Sequence, residues 1–223
     1  MKKKAVFSWS TGKDSTLALH KILNQNEYDI VSLVTTVTED YGRVSMHGLR
    51  VELLDEQAES LGLPLKKIFI PKQCTNDIYE RSFENGLMEF MESGVNNIIF
   101  GDIFLEDVRN YRLKQMDKID MNCVFPIWHE KSTELAERFL DLGFRAKIIC
   151  VDSEVLGKKF AGREYDRDFL KDLPENIDKC GENGEFHTFT YDGPIFSFSV
   201  DCLAGDIVLK DSRFYYCDII NKQ

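Results

Sequence analysis

Lys4-Ala5-Val6-Phe7-Ser8-Trp9-Ser10-Thr11-Gly12-Lys13-Asp14-Ser15 is the stretch that decides the fold of this 223-residue chain. Its first residues form a short apolar run that reads as a buried strand. A helical pattern over 14–24, with Leu17, Leu19, Ile22 and Leu23 as its apolar positions, begins directly after the loop. A strand that turns through glycine into a helix gathers unpaired backbone N–H groups and the positive end of the helix dipole at one point, which favours phosphate. Gly12 lets the backbone approach an oxyanion closely, while Ser8, Ser10 and Ser15 offer hydroxyls and Lys13 a cation. The competing reading is a plain strand-to-helix turn with Asp14 as the helix cap.

Working outward, strands at 30–36, 65–70 and 97–101 alternate with helices over 49–61, 77–93 and 107–119. Gly62 with Pro64 stops one helix and Gly94 another. Such alternation with short turns predicts parallel strands joined by right-handed crossovers. Apolar runs such as Ala5-Val6-Phe7 and Ile98-Ile99-Phe100 fit a sheet covered on both faces. The expected class is therefore α/β, a Rossmann-like doubly wound parallel sheet. Ligands of such sheets sit beyond the carboxyl ends of the strands. The 8–15 loop, Met46-His47 and Gly101-Asp102 all fall at those ends.

Beyond Val124 the pattern changes. A helix over 131–142 and an apolar strand at 146–151 are followed by a stretch rich in Gly, Asp and aromatics. Short antiparallel strands are expected there at 188–191, 195–200, 206–209 and 214–219. This places a boundary near Asn122, with residues 1–122 as the nucleotide-binding domain and 123–223 as a smaller α+β substrate domain.

Composition narrows the function. Hydrophobic residues at 43% and charged residues at 30% describe an ordinary globular chain. A net charge of −10 counts against a nucleic-acid-coating surface. No apolar run is long enough to span a membrane, and the stretch behind Lys2-Lys3-Lys4 is too short for a signal peptide, so a cytoplasmic protein is expected. The six cysteines form no Cys-x-x-Cys pair, which disfavours a zinc site or redox dithiol.

Two phosphate-binding motifs fail. A Walker loop needs glycine where this chain has Phe7 and Ser or Thr where it has Asp14. The dinucleotide fingerprint needs three spaced glycines, and one is present. The loop instead resembles the PP-loop, Ser-x-Gly-x-Asp-Ser, of the N-type ATP pyrophosphatases, whose usual form has glycine where Thr11 stands. Met46-His47, Gly101-Asp102-Ile103, Phe125-Pro126-Ile127-Trp128, Gly157 to Gly162-Arg163, and above all Cys180-Gly181-Glu182-Asn183-Gly184-Glu185-Phe186-His187-Thr188 narrow the likeness. Over nearly its whole length the chain resembles the diphthine–ammonia ligase family.

That resemblance implies an ATP-dependent ligase that cleaves ATP between the α- and β-phosphates and joins ammonia to an adenylated carboxylate. Ser8, Ser10, Thr11, Gly12, Lys13, Asp14 and Ser15 are expected to bind the phosphates, with Thr35, His47 and Gly101 completing the nucleotide site. Asp102, Glu182, Glu185, His187 and Lys13 are the catalytic candidates, and Asp102 is the candidate ligand for Mg2+. The competing readings are a cap for Asp102, a loop residue for His47 and a solvated hairpin turn for the 181–188 carboxylates. Arg109, Arg112 and Lys114 read as a solvated helix face, and Arg163 as a weaker anion contact. Implied partners are ATP, ammonia and a carboxylate acceptor, with a homodimer a possible assembly. The acceptor would be diphthine on elongation factor 2 in an archaeon or eukaryote, and another carboxylate in a bacterium. A non-catalytic ATP sensor and a tRNA-modifying enzyme are the rival classes.

Overall fold

The computed structural model describes residues 2–222. Along them run β1 (Lys3–Ser8), α1 (Lys13–Gln25), β2 (Tyr28–Thr38), β3 (Arg43–Val44), α2 (Val51–Leu61), β4 (Leu65–Ile70), α3 (Asn76–Glu92), β5 (Asn97–Ile99), α4 (Glu106–Asp117) and β6 (Asn122–Val124). They continue with α5 (Ser132–Asp141), β7 (Arg145–Asp152), α6 (Arg167–Asp172), β8 (Phe186–Asp192), β9 (Cys202–Lys210) and β10 (Phe214–Asn221).

The expected parallel sheet is present. β4, β2, β1, β5 and β6 pair in parallel in that order, and β3 pairs antiparallel with the last residues of β2. The chain leaves β1 toward β2 on one side and returns to β5 on the other, so the crevice between β1 and β5 is the topological switch point. Alternation along β1 divides the core. Val6 packs with Val34, Ile98, Phe83 and Leu87 of α3, and Met116 of α4. Phe7 packs with Leu19 and Ile22 of α1 and Leu53 and Leu54 of α2.

A second, antiparallel sheet runs β8-β7-β10-β9. The core on the α1 side continues into it through Phe139 of α5, Ile148 and Phe189. The two sheets therefore share one apolar interior, and α1 lies against both. Local signals set the helix ends. Asn26 and Gly62 close α1 and α2 in left-handed backbone, and the side chains of Thr75 and Asp166 cap α3 and α6.

One expected strand is absent. The 195–200 segment forms no ladder, because its backbone is tied to the end of α2 instead. The Ser197 N–H donates to the Ser60 carbonyl at 2.8 Å, and the Phe198 N–H to Ser60 Oγ at 3.1 Å. Conversely, β8 begins at Phe186, so His187 lies on a strand. β3, β6 and α6 were not legible as elements, the first two being only two and three residues long.

Candidate active site

One cleft of about 510 Å³ opens beyond the carboxyl ends of β1, β2 and β5, a volume suited to a nucleotide-sized ligand. Its floor is the β1–α1 loop. Gly12 caps α1 through extended backbone (φ −91°, ψ 174°) with no side-chain cap, so Asp14 is not the N-cap. Ser10 and Ser15 hold the loop closed through an Oγ–Oγ hydrogen bond of 2.6 Å. Two glycines are required by close approach. A Cβ on Gly101 would meet the Ser15 nitrogen at 2.9 Å, and one on Gly12 the Thr188 carbonyl oxygen at 3.1 Å. The helix N-terminus is thus pressed between the end of β5 and the start of β8.

Thr11 has φ of +72°, which explains why glycine is the usual residue at this point of the loop. Its side chain is buried beneath the floor, away from the cleft, and its hydroxyl has no hydrogen-bond partner among the described residues. Lys13 is also buried. Its ammonium lies 2.8 Å from Asp14 Oδ2, bonds the Cys180 carbonyl, and faces the rings of Tyr165 and Phe186. Burial is the largest influence and opposes that charge, but Asp14, Cys180 and Glu182 together offset it and hold the ammonium above the usual lysine range. Lys13 therefore joins the loop to the 180–185 segment while forming part of the cleft wall.

The other candidates separate clearly. Glu182 faces the cleft, with Oε1 accepting from the Ile103 N–H at 2.9 Å, and it has no ion-pair partner among the described residues. Burial, then the nearby Asp14 charge, pushes its pKa up to about 7. Glu185 turns into its own loop. Its carboxylate accepts from the backbone of Asp178 and Asn183 and from the Asn183 amide, and it does not line the cleft. His187 and His47 both line the cleft with their rings stacked at 4.6 Å. Burial above all holds both neutral, with pKa values lowered to about 3 and about 4.

Asp102 lines the cleft and does not cap α4, whose N-cap is Leu105. Its Oδ2 lies 2.8 Å from Arg112 Nε, an ion pair without hydrogen-bond geometry. Ser8, Thr35 and Gly101 also reach the cleft, and the Thr35 hydroxyl donates to the Trp9 carbonyl at 2.9 Å. Arg163 does not; it pairs with Asp172.

Tyr79 lines the cleft with no signal for it in the sequence, and Arg112, expected on a solvated helix face, lines the cleft instead, held there by its ion pair with Asp102. The signal for Arg112 was present. It follows Leu105 and Val108 on one helical face, a charged residue where the periodicity calls for an apolar one. The Arg112 guanidinium lies 4.4 Å from the Phe100 ring centroid.

Family models give this geometry its context. The diphthamide synthase N-terminal domain matches residues 1–123, and the diphthamide synthase C-terminal domain matches residues 131–222. The chain belongs to the diphthamide synthase family. Among curated relatives of this family member is a diphthine–ammonia ligase from Homo sapiens, 25% identical over 175 residues, covering 71% of this chain and 65% of that protein. One from Danio rerio is 26% identical over 183 residues, covering 73% and 70% respectively. The chain thus spans about two-thirds of the length of these relatives. Among the described residues no helix is long and apolar enough to cross a membrane.

Proposed function

We propose that this diphthamide synthase family member is an ATP-dependent amide ligase that forms AMP and pyrophosphate. One observation carries the reading: a single cleft holds both a helix N-terminus and Glu182, a carboxylate with no ion-pair partner among the described residues, whose pKa burial raises to about 7. The first would grip phosphate oxygens. The second can exchange a proton with an amine at physiological pH.

In the first step a carboxylate oxygen of the acceptor attacks the α-phosphorus of ATP. The bond from the α-phosphorus to the bridging oxygen breaks, and pyrophosphate leaves into the Ser10–Ser15 cradle. In the second, ammonia attacks the acyl carbon, the bond to the AMP oxygen breaks, and the nitrogen sheds a proton to Glu182. The backbone at Val34, Thr35 and Thr36 lines the cleft where the adenine would lie. Stacked and neutral, His47 and His187 add polar surface without cationic charge beside the acyl phosphate. Neither step needs a protein nucleophile; positioning and charge stabilisation suffice.

Among the described residues no group of three or more His, Cys, Asp or Glu could hold a metal. Mg2+ nevertheless fits, since it commonly takes one carboxylate together with phosphate oxygens and water. Asp102 is the cleft-lining carboxylate that would hold it, its Oδ2 lying 2.8 Å from Arg112 Nε without hydrogen-bond geometry. When bound, the ion would offset the phosphate charge. The names of the relatives make diphthine the first acceptor to try.

The test is product analysis with ammonium and a panel of carboxylates that includes diphthine on elongation factor 2. Acceptor-dependent AMP and pyrophosphate are expected. Release of ADP and phosphate refutes the proposal, and so does a protein that binds ATP but turns over no acceptor.

A further inference from the structure

We propose that Gln57, on α2, is a positioning residue that holds the ATP loop in its phosphate-binding conformation, an inference resting on the ATP reading above. Gln57 is fully buried in the apolar stripe of α2, between Leu53, Leu54 and Ala58. A buried amide costs stability unless its donors and acceptor are all paired. Here all of them are. Oε1 accepts from the Trp9 indole N–H at 2.7 Å, and Nε2 donates to the Thr11 carbonyl at 3.0 Å and the Thr190 carbonyl at 2.6 Å. The Thr190 N–H donates to the same Thr11 carbonyl at 3.0 Å. One side chain thus joins the residue leading into the loop, the loop itself and β8.

The geometry gives the bond to Thr11 a consequence in the cleft. A trans peptide sets its C=O and N–H on opposite sides. Fixing the Thr11 carbonyl in the interior therefore aims the Gly12 N–H outward, toward the place an oxyanion would occupy. Among the described residues that N–H meets Ser10 Oγ alone, at 3.4 Å. A β-branched residue at φ of +72° strains the backbone, so this loop needs an external clamp that a glycine loop would need less. Gln57 and Thr190 supply it.

The test is a double-mutant cycle of Gln57→Met and Thr11→Gly, read by calorimetric ATP titration without acceptor and by hydrogen exchange of the Thr190 amide. Gln57→Met keeps the side-chain length and removes the donors. It is expected to weaken ATP binding about tenfold, or about 1.4 kcal/mol, and to speed exchange at Thr190 by a similar factor. In the Thr11→Gly background the same substitution should cost about threefold or less, because the strain being restrained is gone. Equal losses in both backgrounds would make Gln57 ordinary core packing and overturn the inference; so would no loss in either. Should Gln57→Met not fold, Gln57→Glu provides the same cycle, keeping the acceptor for Trp9 while removing the amide donors. If the unmutated protein fails to bind ATP, the proposed function falls, and the exchange data alone decide whether Gln57 restrains Thr11.

Discussion

Gly101→Ala would test whether the N-terminus of α1, proposed above to bind phosphate, is positioned by the end of β5. The added Cβ would lie 2.9 Å from the Ser15 nitrogen, 3.0 Å from Ser15 Cα and 3.2 Å from the Asp14 carbonyl carbon. Non-bonded carbons settle at about 3.5–4.0 Å, so the first turn of α1 must retreat by roughly half an ångström. All three neighbours are backbone, and no rotamer change relieves them. Gly101 is not among the glycines with positive φ, so the cost is steric. Overpacking of this kind costs about 1–3 kcal/mol, with Tm falling about 2–4 °C per kcal/mol in a chain of this size. A misplacement of about 1 Å at reacting groups costs about 100-fold in rate, so half of that corresponds to about tenfold. ATP titration, AMP formation and thermal melting would be measured on three variants. Gly101→Ala should show the largest loss. Gly12→Ala should be milder, since its nearest contact is 3.1 Å, and Gly157→Ala should be neutral, with nothing within 4 Å of its Cβ. Gly101→Ala binding ATP as well as Gly157→Ala would refute the reasoning.

Glu182, with its pKa raised to about 7, is expected to give an amide-forming rate that climbs as pH passes through about 7, and Glu182→Gln should lower the rate and flatten that limb. Because a raised carboxylate pKa means the folded state holds the proton more tightly, the same group costs stability as pH rises from its ordinary range toward 7; melting of Glu182→Gln should lack that decline. The imidazoles behave oppositely. His47 and His187 are depressed to about 4 and about 3, so their contribution is present above the ordinary histidine range near 6.5 and is lost as pH falls from there through about 4 and about 3. His187→Asn should blunt the acid-side loss in Tm. Asp218→Asn should cost about 1 kcal/mol after solvent screening and weaken ATP binding, because Asp218 holds Arg43 and Arg50 on either side of the His47 turn. An unchanged affinity would remove that turn from the nucleotide site.

The parallel half of the fold was legible because its strands are unbroken apolar runs and its helices carry clear stops. The glycine loop, Met46-His47 and Gly101-Asp102 could be placed at strand ends by the same periodicity. What could not be read was which way side chains turn within the 181–188 segment. Glu182 and Glu185 look alike in sequence, yet one accepts from Ile103 across the cleft and the other from its own loop. That choice is set by the left-handed turns at Gly181 and Gly184, a tertiary matter. Gln57 was hidden for a related reason: it interrupts an apolar helical face, and only its partners across the interior say why. Arg112 was read as solvent-facing because only the fold turns it toward Asp102. The lost strand at 195–200 was an apolar run claimed by the end of α2 rather than by a neighbouring strand.

Lys13 and Gly12 stand near the start of the chain, but the atoms that fix them arrive very late. The Lys13 N–H donates to the Thr188 hydroxyl, 175 positions away, and its ammonium bonds the carbonyl of Cys180. During synthesis the parallel sheet can assemble long before these partners leave the ribosome, yet its nucleotide loop stays unfinished until they do. An amino-terminal fragment would carry every residue of the loop motif and still lack the contacts from Cys180, Thr188 and Thr190 that fix it. On the proposed function, ATP binding therefore requires the chain through Thr190.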